Sequence, residues 1–128
     1  MKSPTGISLD IFGNLYVSDF DNHSIRKIDK FGIINTIAGN GTNGFGGDGG
    51  LAIYSTLYWP QKLVVDLVGN VFFADGGNNR IRKIDTSGII NTIIGNGSIG
   101  FSGDGGPAIL AKLNGPADVK IEIGRAHV

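Results

Sequence analysis

Apolar residues in this chain come in short runs set between clusters of Gly, Asn and Asp. Rich in β-branched and aromatic side chains, such runs predict strands. In a first block they cover about Gly6–Asp10, Leu15–Ser18, Ser24–Asp29 and Ile33–Ala38. In a second they cover about Lys62–Asp66, Val71–Ala74, Arg80–Asp85 and Ile89–Ile94. "DIFGN" and "DLVGN" join the first two runs, "DFDNH" and "DGGNN" the next two, "DKFG" and "DTSG" the last two. Asp can accept backbone N–H bonds in such turns, and Gly-Asn pairs tolerate left-handed φ. Three hairpin turns per block make a four-stranded antiparallel meander. Ile25 and Ile28 lie three apart, as do Ile81 and Ile84, so the third strand ends there or carries a bulge. Other runs ("LYV", "IINTI", "KLVV") are apolar on both faces, as in strands buried on both sides. Small sheets stacked face to face around an axis bury both faces, and that architecture is the β-propeller.

The two blocks are copies. Pro4, Pro60 and Pro116 are spaced 60 − 4 = 56 and 116 − 60 = 56 residues apart, with no insertion or deletion between them. A fixed period of this length marks an array of equal units, none of which buries its hydrophobic face alone. The period divides the chain into a unit at 4–59, a unit at 60–115 and the start of a third at 116–122. From Ile123 the repeat stops matching: Arg125 and Ala126 stand where Gly and Asn are due. The string "EIGRAHV" resembles a translated sequencing adapter, so 123–128 is read as artefact and the chain as a fragment.

After the fourth run of each block comes a long link, "GNGTNGFGGDGGLAIYSTLYW" or "GNGSIGFSGDGGPAILAKLNG". Its Gly-rich half is expected to be irregular. Its second half fits one helical turn, with Asp104 as cap, Pro107 in the first turn, and Ile109 and Leu113 on one face. Asp48, Ile53 and Leu57 take the same places in the first unit.

"PTGISLDIFGNLYVSDFDNHSIRKID" and "PQKLVVDLVGNVFFADGGNNRIRKID" resemble the NHL-repeat family, and the links resemble its long-repeat variety in bacterial and teneurin-like proteins. The resemblance runs from Pro4 to about Ile121. It departs where Ser24 faces Arg80 in the second copy and where Lys62 stands in place of Gly6. It implies all-β propeller blades, most often six to a ring. Six units would need about 336 residues, so two blades are present here. Two blades leave apolar sheet faces uncovered, and the isolated chain is expected to be marginally stable or aggregation-prone.

Charge and composition narrow the function classes. Eleven basic and eleven acidic residues cancel, which gives no electrostatic case for nucleic acid or an anionic membrane. Cysteine is absent, which removes disulfides and thiolate sites without naming a compartment. No apolar stretch approaches the length of a membrane span.

Candidate site residues each have a functional and a structural reading. Asp48 and Asp104, flanked by Gly, would suit a Ca²⁺ ligand or a peptide N–H, but one carboxylate falls far short of a calcium shell. A turn or cap that lets the link cross between blades is the simpler reading. Asp19, Asp21 and Asn22 would suit a hard cation, yet the second copy has Asp75, Gly77 and Asn78, so a side-chain-stabilised hairpin turn is favoured. Arg26, Lys27, Arg80, Arg82 and Lys83 would form a basic stripe, but Asp29 and Asp85 follow closely and no aromatics interleave. His23, replaced by Asn79 in the second copy, lacks a catalytic or metal partner. Asp10 and Asp66 suit turns better than a central channel. "GNGTNGFGG" lacks the context of a phosphate loop. Trp59, opposite Gly115 in the second copy, is a recognition aromatic or an inter-blade packing residue.

No catalytic, cofactor-binding or metal-ligating set is named. The leading expectation is a non-catalytic propeller serving as a scaffold for a protein partner, without nucleic-acid or membrane contact, and completed by the remaining blades of the same ring. The alternative is part of a metal-dependent, lactonase- or lyase-like propeller enzyme whose inner strands carry the site elsewhere.

Overall fold

The computed structural model describes residues 4–116, 119–122 and 125–127. The first meander is β1 (Pro4–Leu9), β2 (Leu15–Asp19), β3 (Ser24–Ile28) and β4 (Ile34–Ala38). The second is β5 (Pro60–Val65), β6 (Val71–Asp75), β7 (Arg80–Ile84) and β8 (Ile90–Ile94). Each is an antiparallel sheet with its strands in sequence order. A short pair, β9 (Lys120–Glu122) and β10 (Arg125–His127), follows. The reading of 123–128 as adapter sequence falls partly on Ile123, Gly124 and Val128, which lie outside the described residues.

The hairpin turns form for the reason the Asp residues suggest. Asp10 Oδ1 accepts the N–H groups of Phe12 and Asn14, and Asp66 Oδ1 accepts those of Val68, Gly69 and Asn70. Burial alone would raise both carboxyls, but the hydrogen bonds from the Asn side chains and turn amides outweigh it and hold them below their ordinary value. Between the second and third strands of each sheet lies a single 3-10 turn, Phe20–Asn22 or Gly76–Asn78. It closes on His23 or Asn79 in the left-handed region.

The two sheets stack face to face with β1 and β5 adjacent, as neighbouring blades of a propeller do. Gly6 permits the close approach. A Cβ there would meet Lys62 Cα at 2.8 Å, and Thr5 Oγ1 donates to the Pro60 carbonyl at 2.8 Å. Tyr16, Ile25 and Ala38 of the first sheet meet Leu63, Val71, Phe73, Ile84 and Ile90 of the second, with Ala52 and Leu57 of the link sealing the rim. A second cluster on the far face of the second sheet joins Ala74, Ile81 and Val119.

Ile25 is buried in the core between the sheets, whereas Ile28 is only partly buried and belongs to the opposite face. β3 pairs with β2 in regular register, so the two isoleucines face opposite sides of the sheet. The register shift lies between β3 and β4, where Ile25 opposes Ala38 and Arg26 opposes Thr36, leaving Ile37 as the extra residue. The face of the first sheet turned away from the second is uncovered, with Ile7 66% and Leu9 67% exposed.

The expected helical turn is present in reduced form. It is one 3-10 turn, Ala52–Tyr54 and Ala108–Leu110. Asp48 and Asp104 do not cap it: the cap positions are Leu51 and Pro107, with no side-chain cap bond. The turns are too short to put Ile109 and Leu113, or Ile53 and Leu57, on one helical face; Leu57 is buried while Ile53 is half-exposed.

Candidate functional site

The most developed polar site lies where the first link crosses onto the second sheet, and Arg82 is its centre. Arg82 sits on β7 opposite Phe73 of β6 and Thr92 of β8. Its side chain is fully buried. Nη2 donates to Asp48 Oδ1 at 2.8 Å and to the Gly46 carbonyl at 2.9 Å. Nη1 donates to the Thr56 carbonyl at 2.9 Å and lies 3.3 Å from Asp75 Oδ2. Thr92 Oγ1 donates to the other oxygen of Asp48 at 2.6 Å. Asn78 Nδ2 bridges Asp75 Oδ2 and the Gly44 carbonyl. A buried guanidinium is tolerable only when paired and hydrogen-bonded, and this one is held between two carboxylates and two carbonyls.

The link is shaped to meet it. Gly47 adopts φ +92°, and a Cβ there would stand 2.8 Å from Ser55 Cα, so the link can fold back on itself only with glycine at this place. Phe45 lies under two guanidiniums, 3.5 Å from Arg80 and 4.7 Å from Arg82, in cation–π geometry. Burial lowers the Arg80 guanidinium from its ordinary value, against the pull of Asp48. Burial likewise pushes the Asp75 carboxyl above the usual carboxylate range; Asn78, the Tyr58 N–H and Arg82 oppose this without cancelling it. Further along, the link runs beside β8. Gly49 N–H donates to the Ile90 carbonyl, Ile90 N–H to Gly50 and Ala52 N–H to Gly88, which covers the outer sheet edge.

The first sheet carries the same groove without a link in it. Asp19, Asn22, Arg26, Thr36 and Asn40 line an opening of about 510 Å3. They match Asp75, Asn78, Arg82, Thr92 and Asn96 at the 56-residue spacing. Arg26 Nη1 lies 3.6 Å from Asp19, Asn22 Nδ2 donates to Asp19 at 3.0 Å, and the buried Nε of Arg26, like that of Arg82, has no hydrogen-bond partner among the described residues. One position differs, Ser24 for Arg80.

The remaining candidates are dispersed. Lys27 and Lys83 lie over the rings of Tyr16 and Phe72, and Arg82 is buried, so the basic residues form no stripe. Asp19 is buried and Asp21 is exposed, which separates the carboxylates that would hold a cation. His23 Nδ1 accepts the N–H of Trp59 at 3.1 Å. Trp59 adopts φ +52° and stacks on Phe20 at 5.7 Å between centroids and 4° between planes, remaining 44% exposed. Asp104 is exposed. Among the described residues no three His, Cys, Asp or Glu side chains gather to hold a metal ion. Among them, too, no helix is long and apolar enough to cross a membrane. Sequence reasoning passes over Phe45, Thr92 and the carbonyls of Gly44 and Gly46. The available signal is that both units keep a Phe three residues before Asp48 or Asp104 and a Thr inside an apolar strand.

The architecture and the repeat agree with known proteins. Residues 41–101 match the model of the teneurin NHL domain. Teneurin-3 of Mus musculus is 32% identical over 102 residues, a match covering 70% of this chain and 4% of that protein. Among solved structures, a protein of unknown function from Bacteroides thetaiotaomicron superposes with a TM-score of 0.72 at 28% identity, covering 84% of this chain and 27% of that one. Virginiamycin B lyase from Staphylococcus aureus shares the fold alone, with a TM-score of 0.51 at 20% identity over 70% of this chain and 26% of that one. With two face-stacked meanders, a 56-residue period and an Asp-bearing glycine link, the chain belongs to the NHL-repeat family, in its teneurin-like form.

Proposed function

We propose that this chain is a non-catalytic protein-interaction scaffold whose partner docks where the turn at Phe20–Asn22 meets the end of the first link. The observation that carries this reading is Trp59. It holds φ +52° where the second unit has Gly115 at φ +54°. A left-handed backbone costs a large L-residue about 1–2 kcal/mol. Strain of this kind is kept where the side chain is used. The ring packs one face on Phe20, beside Tyr58, and stays nearly half exposed. Tryptophan is enriched among the residues that dominate binding at protein interfaces. The polar site at Arg82, by contrast, directs both Nη groups to acceptors of the chain itself.

The test is capture from an extract of the source organism with the wild-type chain and W59G side by side. The protein whose capture depends on Trp59 is then purified and titrated against both chains. At least about tenfold weaker binding by W59G is expected. Equal binding, or no Trp59-dependent partner, overturns the reading.

A further inference from the structure

We propose that His23 is a pH-sensitive latch on Trp59: its neutral imidazole holds the tryptophan in place, and protonation releases it. As a latch it stands on the geometry of the chain itself. As a control on binding it rests on the reading of Trp59 as the anchor for a partner.

The two units show the device side by side. In each, the turn after the second strand closes on a left-handed residue, His23 at φ 49° and ψ 48° or Asn79 at φ 52° and ψ 44°. In each, the side chain of that residue accepts the N–H of the residue just before the next Pro, which is itself left-handed. Asn79 Oδ1 accepts from Gly115 at 2.9 Å, and His23 Nδ1 accepts from Trp59 at 3.1 Å. An amide oxygen accepts at any pH. A ring nitrogen accepts only while it carries no proton, and histidine gains that proton between about pH 8 and about pH 5. Asn suits a left-handed backbone as His does, so the backbone does not require the exchange. The unit with the titratable acceptor is the unit with the tryptophan.

Protonation sets two donors face to face, since Nδ1–H then points at Trp59 N–H. The His23 ring also meets Tyr58 edge-on, at 5.7 Å between centroids and 86° between planes, and Tyr58 meets Trp59 at 4.8 Å. An imidazole that turns away therefore withdraws the acceptor and the side support together. What remains is the stack on Phe20, set against the left-handed backbone of Trp59 at φ +52°. With the latch open that backbone relaxes and the indole leaves Phe20. The charged groups around His23 are Asp19, paired with Arg26, and exposed Asp21 on its own turn. Across from it stand the Tyr58 phenol and Asp75, which accepts the Tyr58 N–H at 2.8 Å. β1, which borders the turn, brings no charge. Burial raises the Asp75 carboxyl, which makes Asp75 the rival source of an acid response at Trp59.

Trp59 is the single tryptophan of the chain, so its fluorescence reports this place alone. The experiment is acrylamide quenching of the 128-residue chain at about pH 8 and about pH 5, with wild type, H23N and H23G. Trp59 is 44% exposed, so its release is expected to raise the quenching constant of wild type about twofold on acidification. H23N is expected to keep the low value at both pH values, as an amide acceptor does not titrate. H23G suits the left-handed backbone and has no acceptor, and is expected to give the high value at both. An unchanged wild-type constant, an equal rise in H23N, which keeps Asp75 and His127, or a low constant in H23G would each overturn the latch. None of these measurements involves a partner, so the latch stands or falls apart from the proposed function. Where release leaves about a tenth of the chains latched, a partner captured through Trp59 binds wild type about tenfold more weakly in acid and H23N equally at both pH values. Equal binding by wild type at both pH values would overturn the control on binding.

Discussion

Arg82 Nη2 stands 2.8 Å from Asp48 Oδ1, across the boundary between two sheets and 34 residues along the chain. The pair is the polar counterpart of the apolar contact between the blades. Its guanidinium is wholly buried and its carboxylate partly solvated. Replacing Arg82 by Met is expected to cost about 3–5 kcal/mol, because buried Asp75 loses its cation. Asp48→Asn is expected to cost about 1–2 kcal/mol, since solvent screens part of the loss. Urea unfolding of both variants and their combination gives the coupling. A value below about 0.5 kcal/mol would show that the pair does not hold the blades together.

Two glycines of the same link separate strain from crowding. Gly47 has φ +92° and no room for a Cβ, whereas Gly49 has φ +86° and open space around it. Gly47→Ala is expected to destabilise by about 3 kcal/mol, combining left-handed strain with overpacking against Ser55. Gly49→Ala is expected to lose only about 1 kcal/mol. Equal losses in chemical denaturation would mean that the link does not fold back on Ser55 as described.

Trp59 offers a comparison in which the smaller side chain wins. Trp59→Ala loses the stack on Phe20 and keeps the left-handed backbone cost; Trp59→Gly loses the stack and the cost together. The glycine variant is expected to be the more stable of the two by about 1 kcal/mol. Thermal unfolding decides it, and the reverse order would place Trp59 in an unstrained backbone.

Much of this was legible in the sequence, and the exceptions have a common cause. The strands showed because their apolar residues lie on both faces, as Ile25 and Ile28 do. The turns showed because Asp10 and Asp66 sit beside the amides they accept. Those are local relations. The partner of Asp48 is not local, and Arg82 reads in sequence as one more exposed cation near Asp85. The acceptors that complete its shell are the backbone carbonyls of Gly46 and Thr56, and any residue in those places would look the same. Trp59 was legible as unusual, since Gly115 is its counterpart, but only the backbone angle shows why a glycine belongs there.

Tyr16 supplies a pH test of the core. Burial pushes its phenol up to about 12, helped by donation to Asp10 Oδ2. In the unfolded chain the phenol titrates near its ordinary value, about 10. Its contribution is therefore whole below pH 10 and shrinks as pH rises toward 12, because only the unfolded chain gives up the proton in that window. The stability advantage of wild type over Tyr16→Phe, read from urea midpoints, should fall between pH 10 and pH 12. A constant difference would mean that the fold does not hold the phenol above its ordinary value.

The contact between Asp48 and its partners also orders events in time. Arg82 is synthesised 34 residues after the carboxylate it binds, and Thr92 44 residues after. At about 5–20 residues per second, translation leaves Asp48 waiting roughly 2–9 s. Throughout that interval the first sheet is complete while Phe45 and its neighbours hang from it, unfastened. A nascent array of this kind hardens one unit behind the ribosome, and a pause in the second meander prolongs the exposure of the first.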